Sequence, residues 1–583
     1  MRGSGRGWGR FFGRRYNRRV DFIEPDEIFL DSSNLPAFDR DQFEGHLERP
    51  LGKRALVFFG MGCLAIALVF LYKVWDLQIT HGQDYVAQSE NNRLDHTLIF
   101  ADRGVIYDRR GEKLAWNERT DQYADFAQRV YRPSEGFGHV LGYVTYPLKD
   151  RAGFYFQESF LGKDGVEKIF DAQLQGKNGL KIVETNALAV VESESTFERP
   201  ESGGDLRLTI DAGVQERLYE LIKERANDSG FTGGAGIIMD VETGDILAMT
   251  SYPEYSPELL SGGTATTVEA YTKDSGKPFL NRAVSGLYTP GSIIKPFIAA
   301  AALEEGIISP TKQILSTGAL TIANPYNPGA VSVIKDWKAH GYVDLRHALA
   351  VSSNVYFFQI GGGFKDQKGL GITNIEKYTR LFGFGSPVQF DLAPNPAGTI
   401  PTPAWKKELF DDEWRLGDTY NTAIGQYGFQ VTPLQAVRGI AALANGGVLV
   451  TPSLVTDDPV VREQIDISQG TLSIVREGMR MAVTEQNGTA RGLMMSDVAV
   501  AGKTGTAEIG AAKAHVNAWA VGFFPYEKPK YAFVILMERG PVQNLVGGIF
   551  VMRRLLDWMA VERPYYLKGE SNPPPGTLSS DVN

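Results

Sequence analysis

Ser292 and Lys295 stand three residues apart in the stretch YTPGSIIKPF, where the lysine interrupts an apolar run that continues IAAAAL. Positions i and i+3 share a helix face, so the amine can reach the hydroxyl. A serine hydroxyl is a poor nucleophile until a neighbour takes its proton. A lysine can do so only when neutral, and its ordinary pKa of about 10.4 must then be lowered by burial or a nearby cation. The flanking isoleucines and phenylalanine supply burial. Pro296 suits the first turn of a helix, which places Ser292 at a helix N-terminus whose free N–H groups favour developing negative charge. The motif alone is weak, because SPTK (Ser309 to Lys312) repeats its letters in a loop-like segment.

Two further patterns strengthen it. VSSNVYFF holds Ser352, Ser353 and Asn354, a second hydroxyl and an amide able to relay a proton to a leaving amine and hold a substrate carbonyl; DSSN (Ser32 to Asn34) matches it in what must be loop. AGKTGTAE ends a predicted strand and holds Lys503, Thr504, Gly505 and Thr506. Lys503 is a cation for a substrate carboxylate and a like charge that could depress Lys295. The two threonines, two apart on a strand, face one way. Gly505 leaves the strand edge bare for a peptide backbone to pair with. A nucleotide-binding loop ending in GKT is excluded, since its first glycine would fall at Asp497. The three patterns follow in the order 292, 352, 503.

The elements that must position them come from the rest of the 583 residues, enough for two or three domains. Hydrophobic content of 43% and charged content of 22% suit a folded chain. The net charge of −9 is uneven, since residues 1–20 carry seven arginines and no acid. Ala55 to Tyr72 is uncharged and as a helix spans ~27 Å, close to a bilayer core. Lys53, Arg54 and the arginine-rich tail precede it, which puts the N-terminus in the cytoplasm and everything after residue 73 outside. The following YKVWDLQITHG offers no small-residue cleavage site, so the segment reads as an uncleaved anchor and the basic tail as a topology and lipid signal rather than a nucleic-acid binder. The one cysteine, Cys63, lies in the anchor, so the external part has no disulfide and no thiol nucleophile. Seven histidines are scattered, and His340 and His347 read as structural, so no metal site is expected.

Outside the anchor, RGVIYDRRGEKLAWN reads as two short extended runs about a turn at Arg109-Arg110-Gly111. GVEKIFDAQLQGKNG (Gly165 to Gly179) predicts one helix closed by Gly176, and ERPESGGD (Glu198 to Asp205) a linker. Asp211 is the expected N-cap of a helix, and Gly234 to Pro253 a β-hairpin turning at Glu242 to Asp245. With strands at both ends and helices between, the long domain is expected to be α+β or α/β, its sheet built from the chain's two ends.

Together the motifs match the Ser-x-x-Lys, Ser-x-Asn and Lys-Thr-Gly set of penicillin-binding proteins and serine β-lactamases. Over residues 51–562 the chain resembles class B penicillin-binding proteins, the membrane-anchored transpeptidases that cross-link peptidoglycan. NRAVSGLYTPGSIIKPF, DWKAHGYVDLRHALAVSSNVYFFQIG, WRLGDTYNTAIGQYGFQVTPLQ and AWAVGFFP carry that resemblance; HVLGYV, DWKAHG and GDTYNTAIGQ look most like the elongation-type subgroup. The resemblance implies an α+β chain: a cytoplasmic segment (1–54), a transmembrane anchor (55–72), an elongated β-rich pedestal or dimerisation domain (73–205), a transpeptidase domain (206–567) with an antiparallel sheet flanked by helices, and a disordered tail (568–583). It implies that Ser292, activated by Lys295, attacks the penultimate D-Ala carbonyl of a stem peptide ending in D-Ala-D-Ala. Ser352 and Lys295 protonate the leaving D-Ala. The backbone N–H groups of Ser292 and Thr506 form the oxyanion hole. Lys503, Thr504 and Thr506 hold the terminal carboxylate along the strand that Gly505 leaves bare, and Asn354 holds the peptide amide. β-Lactams acylate the same serine, no metal or other cofactor is needed, and a membrane-embedded peptidoglycan glycosyltransferase is the expected partner. Only 62 positions separate Arg103 from Gly165, short for the family, so the pedestal head is expected to be trimmed. Gly425-Gln426-Tyr427-Gly428 stands where the family often has Gly-Gln-Gly. No glycosyltransferase domain precedes the pedestal, which speaks against the bifunctional class. A division-type enzyme, a D,D-carboxypeptidase or β-lactamase, and a non-catalytic scaffold are the alternatives.

Overall fold

The structure is a computed structural model describing residues 52–83, 85, 94–119, 124–185, 191–324, 327–510, 513–543 and 547–570. The basic tail, the DSSN stretch and nearly all of the C-terminal tail lie outside the described residues. Two compact units divide at residues 93 and 94.

The first unit holds helix α1 (Lys53–Trp75). Among the described residues it belongs to the one helix long and apolar enough to cross a membrane, Leu56–Thr80, and none of that span is buried against protein. A helix apolar on every face with no protein packed on it fits a lipid surround. Cys63 lies exposed on it.

The second unit begins with the pedestal. Strand β1 (Leu94–Ile99) is followed by β2 (Ile106–Tyr107), β3 (Lys113–Glu118) and β4 (Gln128–Tyr131). The turn between β2 and β3 falls at Arg109 to Gly111, as its residues predict: Asp108 Oδ1 accepts from the N–H groups of Arg110 and Glu112. The helix expected over residues 165–179 is instead two short pieces, α2 (Gly165–Ile169) and α3 (Asp171–Leu174). Arg103, 64 residues upstream, explains the break. Its Nη2 donates to the Glu167 carbonyl at 2.8 Å, the acceptor an uninterrupted helix would offer to the N–H of Asp171. The buried Glu167 side chain also accepts from Arg103 Nε (2.6 Å) and Arg129 Nε (2.7 Å).

Strands β5 (Gly179–Thr185) and β6 (Val191–Glu198) join β1 in one sheet, while β7 (Leu206–Arg207) runs parallel to β2 in another. Residues 198–205 are therefore not a free linker. Glu201 bridges Lys177, and the N–H groups of Gly203 and Gly204 donate to the carbonyls of Asp102 and Gln173. A Cβ at Gly203 would lie 1.9 Å from the Leu174 carbonyl oxygen, so the glycine that looked like a linker signal is there for close packing.

The larger part of the second unit starts with α4 (Ala212–Ser229), where Asp211 Oδ1 accepts from Val214 N as an N-cap should. Then come the hairpin strands β8 (Gly233–Asp240) and β9 (Ile246–Tyr252), and the helices α5 (Lys295–Glu304), α6 (Asn354–Gly362), α7 (Pro433–Ala444) and α8 (Gln469–Thr484). Strands β10 (Ala501–Ile509), β11 (His515–Phe524) and β12 (Tyr531–Pro541) and helix α9 (Gly548–Glu562) complete it. The five strands form one antiparallel sheet in the order β9-β8-β12-β11-β10, so the chain's two ends do share a sheet. β8 is buried along its whole length, because helices cover both faces. α5 is the helix in the middle of the core: Phe297, Ile298 and the alanines 299–302 are all inaccessible to solvent or nearly so. A helix can lie so deep only if it is apolar all round, and Lys295 is the exception that requires explanation.

Candidate active site

Ser292 sits in a 3-10 turn, Gly291–Ile294, that runs straight into α5. Gly291 has φ +55°, and its N–H donates to the Gly425 carbonyl at 2.9 Å. A Cβ on Gly291 would lie 3.1 Å from the Thr506 carbonyl oxygen, and one on Gly425 2.2 Å from the Gly291 carbonyl oxygen. The turn is thus gripped between the Gly425 loop and strand β10, and glycine is required on both sides. Trp519 on β11 adds a third hold, its Nε1 donating to the Thr289 carbonyl at 3.0 Å. Ser292 itself stays half-buried and reachable from solvent.

One turn on, the Lys295 side chain is fully buried. Its Nζ donates to the Ser352 carbonyl (2.8 Å), Asn354 Oδ1 (2.6 Å) and Ser352 Oγ (3.3 Å). No hydrogen bond joins it to Ser292 Oγ, and such contacts often tighten only once substrate is bound. Three acceptors match the three N–H groups of an ammonium; on loss of one proton the two carbonyl oxygens keep a donor each, and the Ser352 hydroxyl can turn to donate to the freed lone pair. Burial pushes the Lys295 pKa down to about 7, with the charge of Asp336 opposing it.

Ser352 lies in the left-handed region at φ +57°, just before α6. Lys503 reaches it from β10, Nζ donating to Ser352 Oγ at 2.7 Å and to the Thr504 carbonyl at 3.0 Å. Lys503 is also fully buried, and burial first, then the neighbouring Lys295, hold its pKa well below the ordinary lysine value. The sequence-derived residues Lys295, Ser352, Asn354 and Lys503 thus form one hydrogen-bonded cluster across three elements. Thr504 and Thr506 lie on the other face of β10, both half-buried. Gly505 has a packing reason of its own: a Cβ there would fall 2.8 Å from Ile293 Cγ2 and 2.9 Å from the Pro290 carbonyl oxygen. Its bareness lets the Ser292 turn lie against the strand.

The look-alike SPTK is elsewhere, with Lys312 Nζ donating to Gln367 Oε1 at 2.8 Å and Ser309 exposed. His340 and His347 do not pair; each is nearest an aspartate, Asp336 and Asp344. Tyr427 takes a left-handed conformation (φ +64°) and packs edge-on to Trp405 and Trp414 at 5.9 and 5.8 Å between centroids. Sequence reasoning missed Asp336 and the capping role of Ser353. The only signal was an acid in the quoted DWKAHG stretch, and nothing in its spacing points to the site.

The sequence matches the family profile described as the penicillin binding protein transpeptidase domain over residues 234–549, and that of the penicillin-binding protein dimerisation domain over 122–208. It is 27% identical over 613 residues to the peptidoglycan D,D-transpeptidase MrdA of Escherichia coli, covering 87% of this chain and 93% of that one. The fold resembles PBP2 of Helicobacter pylori, solved in complex with MreC, with TM-score 0.66 and 27% identity over 80% of this chain and 99% of that one. It also resembles a chain from a structure titled for the coordination of polymerization and crosslinking by a peptidoglycan synthase complex, with TM-score 0.66 and 26% identity over 88% of this chain and 98% of that one. The Ser292 turn, a lysine pair on one serine, and a glycine-bared strand, found inside those matched residues, leave one conclusion: the chain belongs to the penicillin-binding protein transpeptidases, in their class B, elongation-type branch.

Proposed function

We infer that the chain is a membrane-anchored peptidoglycan D,D-transpeptidase that works in cell elongation, with Ser292 as its nucleophile. The observation that carries the residue roles is that Lys295, one helical turn from Ser292, converges with Lys503 on Ser352 Oγ. Neutral Lys295 takes the Ser292 proton as Oγ attacks the carbonyl carbon of the penultimate D-Ala. The N–H groups of Ser292 and Thr506 receive the negative charge on the carbonyl oxygen. The C–N bond then breaks, and the proton passes from Lys295 through Ser352 to the departing D-Ala amine. Thr504 and Thr506, on one face of β10, hold the departing residue's carboxylate; Lys503 adds its positive charge from the opposite, buried face through Ser352, and Asn354 holds the amide before it. In the second half the amine of another stem peptide attacks the ester, its proton leaves by the reverse path, and Ser292 is restored. A β-lactam enters at the first step and leaves an ester that the acceptor cannot resolve.

The arginine-rich tail, Lys53 and Arg54 before α1 support a cytoplasmic N-terminus with the catalytic part outside. The likeness to PBP2 solved with MreC, and to a chain of a peptidoglycan synthase complex, supports work beside a membrane-embedded glycosyltransferase.

The test is intact-mass measurement of the full-length protein in detergent with penicillin over time, followed by peptide mapping. The expected result is one stable adduct on the peptide containing Ser292. An adduct shed within seconds would make the protein a hydrolase, and an adduct on another peptide would unseat Ser292.

A further inference from the structure

Ser352 is held in a conformation that a β-carbon disfavours, at φ +57°, and such residues persist only where the surroundings over-determine them. The next residue, Ser353, is fully buried and caps α6, its Oγ accepting from Tyr356 N. Behind it lies Asp336, whose side chain is wholly shielded from solvent. Asp336 Oδ2 accepts from Ser353 Oγ (2.9 Å), Val355 N (3.0 Å) and Ser316 Oγ (3.3 Å), and Oδ1 from Trp337 N (2.9 Å). A buried carboxylate at a helix N-terminus with four donors is a built site, because each donor and the helix dipole favour its charge.

We propose that Asp336 is a positioning residue of the acylation site: it seats the Ser352–Asn354 turn against Lys295 and supplies the negative charge that Lys295 faces. The inference rests on the reading of Lys295 as the base. All three partners of Lys295 Nζ, the Ser352 carbonyl, Ser352 Oγ and Asn354 Oδ1, belong to the turn that Asp336 holds. The charge acts alongside the geometry. Burial alone would raise the Asp336 pKa; the His340 ring, the N–H groups of Val355 and Asn354, and Lys295 outweigh it and hold the carboxyl below the usual range. Conversely, Asp336 is the acid whose charge props up the Lys295 pKa against burial. The groups that face it are Lys295 from α5, with Lys503 of β10 beyond Ser352, and His340 from its own loop, Nε2 3.8 Å from Oδ1; Lys335 and Lys338 flank it in sequence and point to solvent.

The test is the rate of Ser292 acylation by penicillin against pH in the full-length protein in detergent. Asp336→Asn removes the charge and keeps the shape. Without the carboxylate Lys295 gives up its proton more readily, so the acid limb of the profile moves to lower pH, by about one unit, and the plateau falls roughly 10-fold as the base weakens. Ser353→Ala keeps the charge and cuts its tie to the turn; its plateau falls roughly 10-fold while the acid limb stays in place. A purely structural Asp336 would lower the melting temperature and leave the acid limb and the plateau per folded molecule where they were, and that outcome overturns the proposal. Should Asp336→Asn not fold, Ser353→Ala decides, and a parent-like plateau in it overturns the seating role. A failed base assignment shows differently, in a parent protein whose own acylation has no acid limb.

Discussion

Lys295 and Lys503 approach the same oxygen, Ser352 Oγ, from a helix and from a strand, and neither amine is open to solvent. Two ammonium ions that close in a dry site repel strongly, so protons are shared between them rather than held by both. A negative charge brought near β10 by a substrate would favour charge on Lys503 and leave Lys295 neutral, the form the proposed first step needs. The acylation rate should therefore rise with pH through about 7, the value to which burial lowers Lys295. Stopped-flow acylation with a chromogenic β-lactam between pH 5 and 9 measures this; a rate flat across that range would remove Lys295 from the role.

Ser292→Ala should form no penicillin adduct, whereas Ser309→Ala should label like the parent, because Ser309 lies in the exposed SPTK loop whose lysine is bonded to Gln367. Gel fluorescence with a labelled penicillin reads both variants at once. Cells living on Ser292→Ala alone should not grow.

Lys295→Met should cost ~10²–10⁴ in acylation rate and yet make the protein more stable. The sign follows from the depressed pKa. Below about pH 7 both folded and unfolded chains carry the proton, and the folded one bears the whole cost of a buried ammonium. Between about 7 and the ordinary 10.5 the unfolded chain binds a proton the folded chain lacks, so stability climbs with pH and the cost disappears. The variant's advantage should be on the order of 3–5 kcal/mol at pH 6 and vanish above pH 10. Denaturant melts at both pH values check it; an advantage that grows with pH contradicts it.

Gly505→Ala puts a carbon within 3 Å of both Ile293 and the Pro290 carbonyl oxygen. The Pro290 contact is backbone and cannot swing aside, so the nucleophile turn must shift. We expect a loss of about 1–3 kcal/mol in stability and at least a 10-fold slower acylation. A variant with parent-like kinetics would show that the turn tolerates displacement.

Glu167→Gln in the pedestal leaves Arg129 buried without its acidic partner, while Arg103 keeps Asp171 at 2.7 Å, and should cost about 3–5 kcal/mol. Because Glu167 touches nothing in the Ser292 cluster, penicillin acylation of the folded protein should be unchanged. Calorimetry and acylation on the same sample separate the two effects.

The elements legible from sequence were those whose determinants lie within a few residues. The Asp211 cap, the 233–252 hairpin and the helix begun by Ser-Ile-Ile-Lys-Pro each announce themselves locally. The three motifs were legible as letters, and the fold brings their lysines and serine to one oxygen. What escaped depends on distant partners. Arg103 breaks a helix 64 residues away by taking one carbonyl, and no local propensity encodes that. Asp336 reaches Ser353 across 17 residues with no periodic relation to it. The SGG of residues 202–204 read as slack, though Gly203 is there because two backbones touch.

Strand β10 ends its sheet, with β11 on one side and no strand on the other among the described residues. A row of unmated backbone groups invites any extended chain, including a sister molecule's identical strand. The protein must therefore welcome one visitor and repel its own kind at the same rim. The Glu508–Lys513 ion pair (2.6 Å) at the far end of β10 puts exposed charge where two such rims would zip together. The same open rim that would seat a substrate strand is thus a surface on which two copies can pair, and exposed charge at its end opposes that pairing.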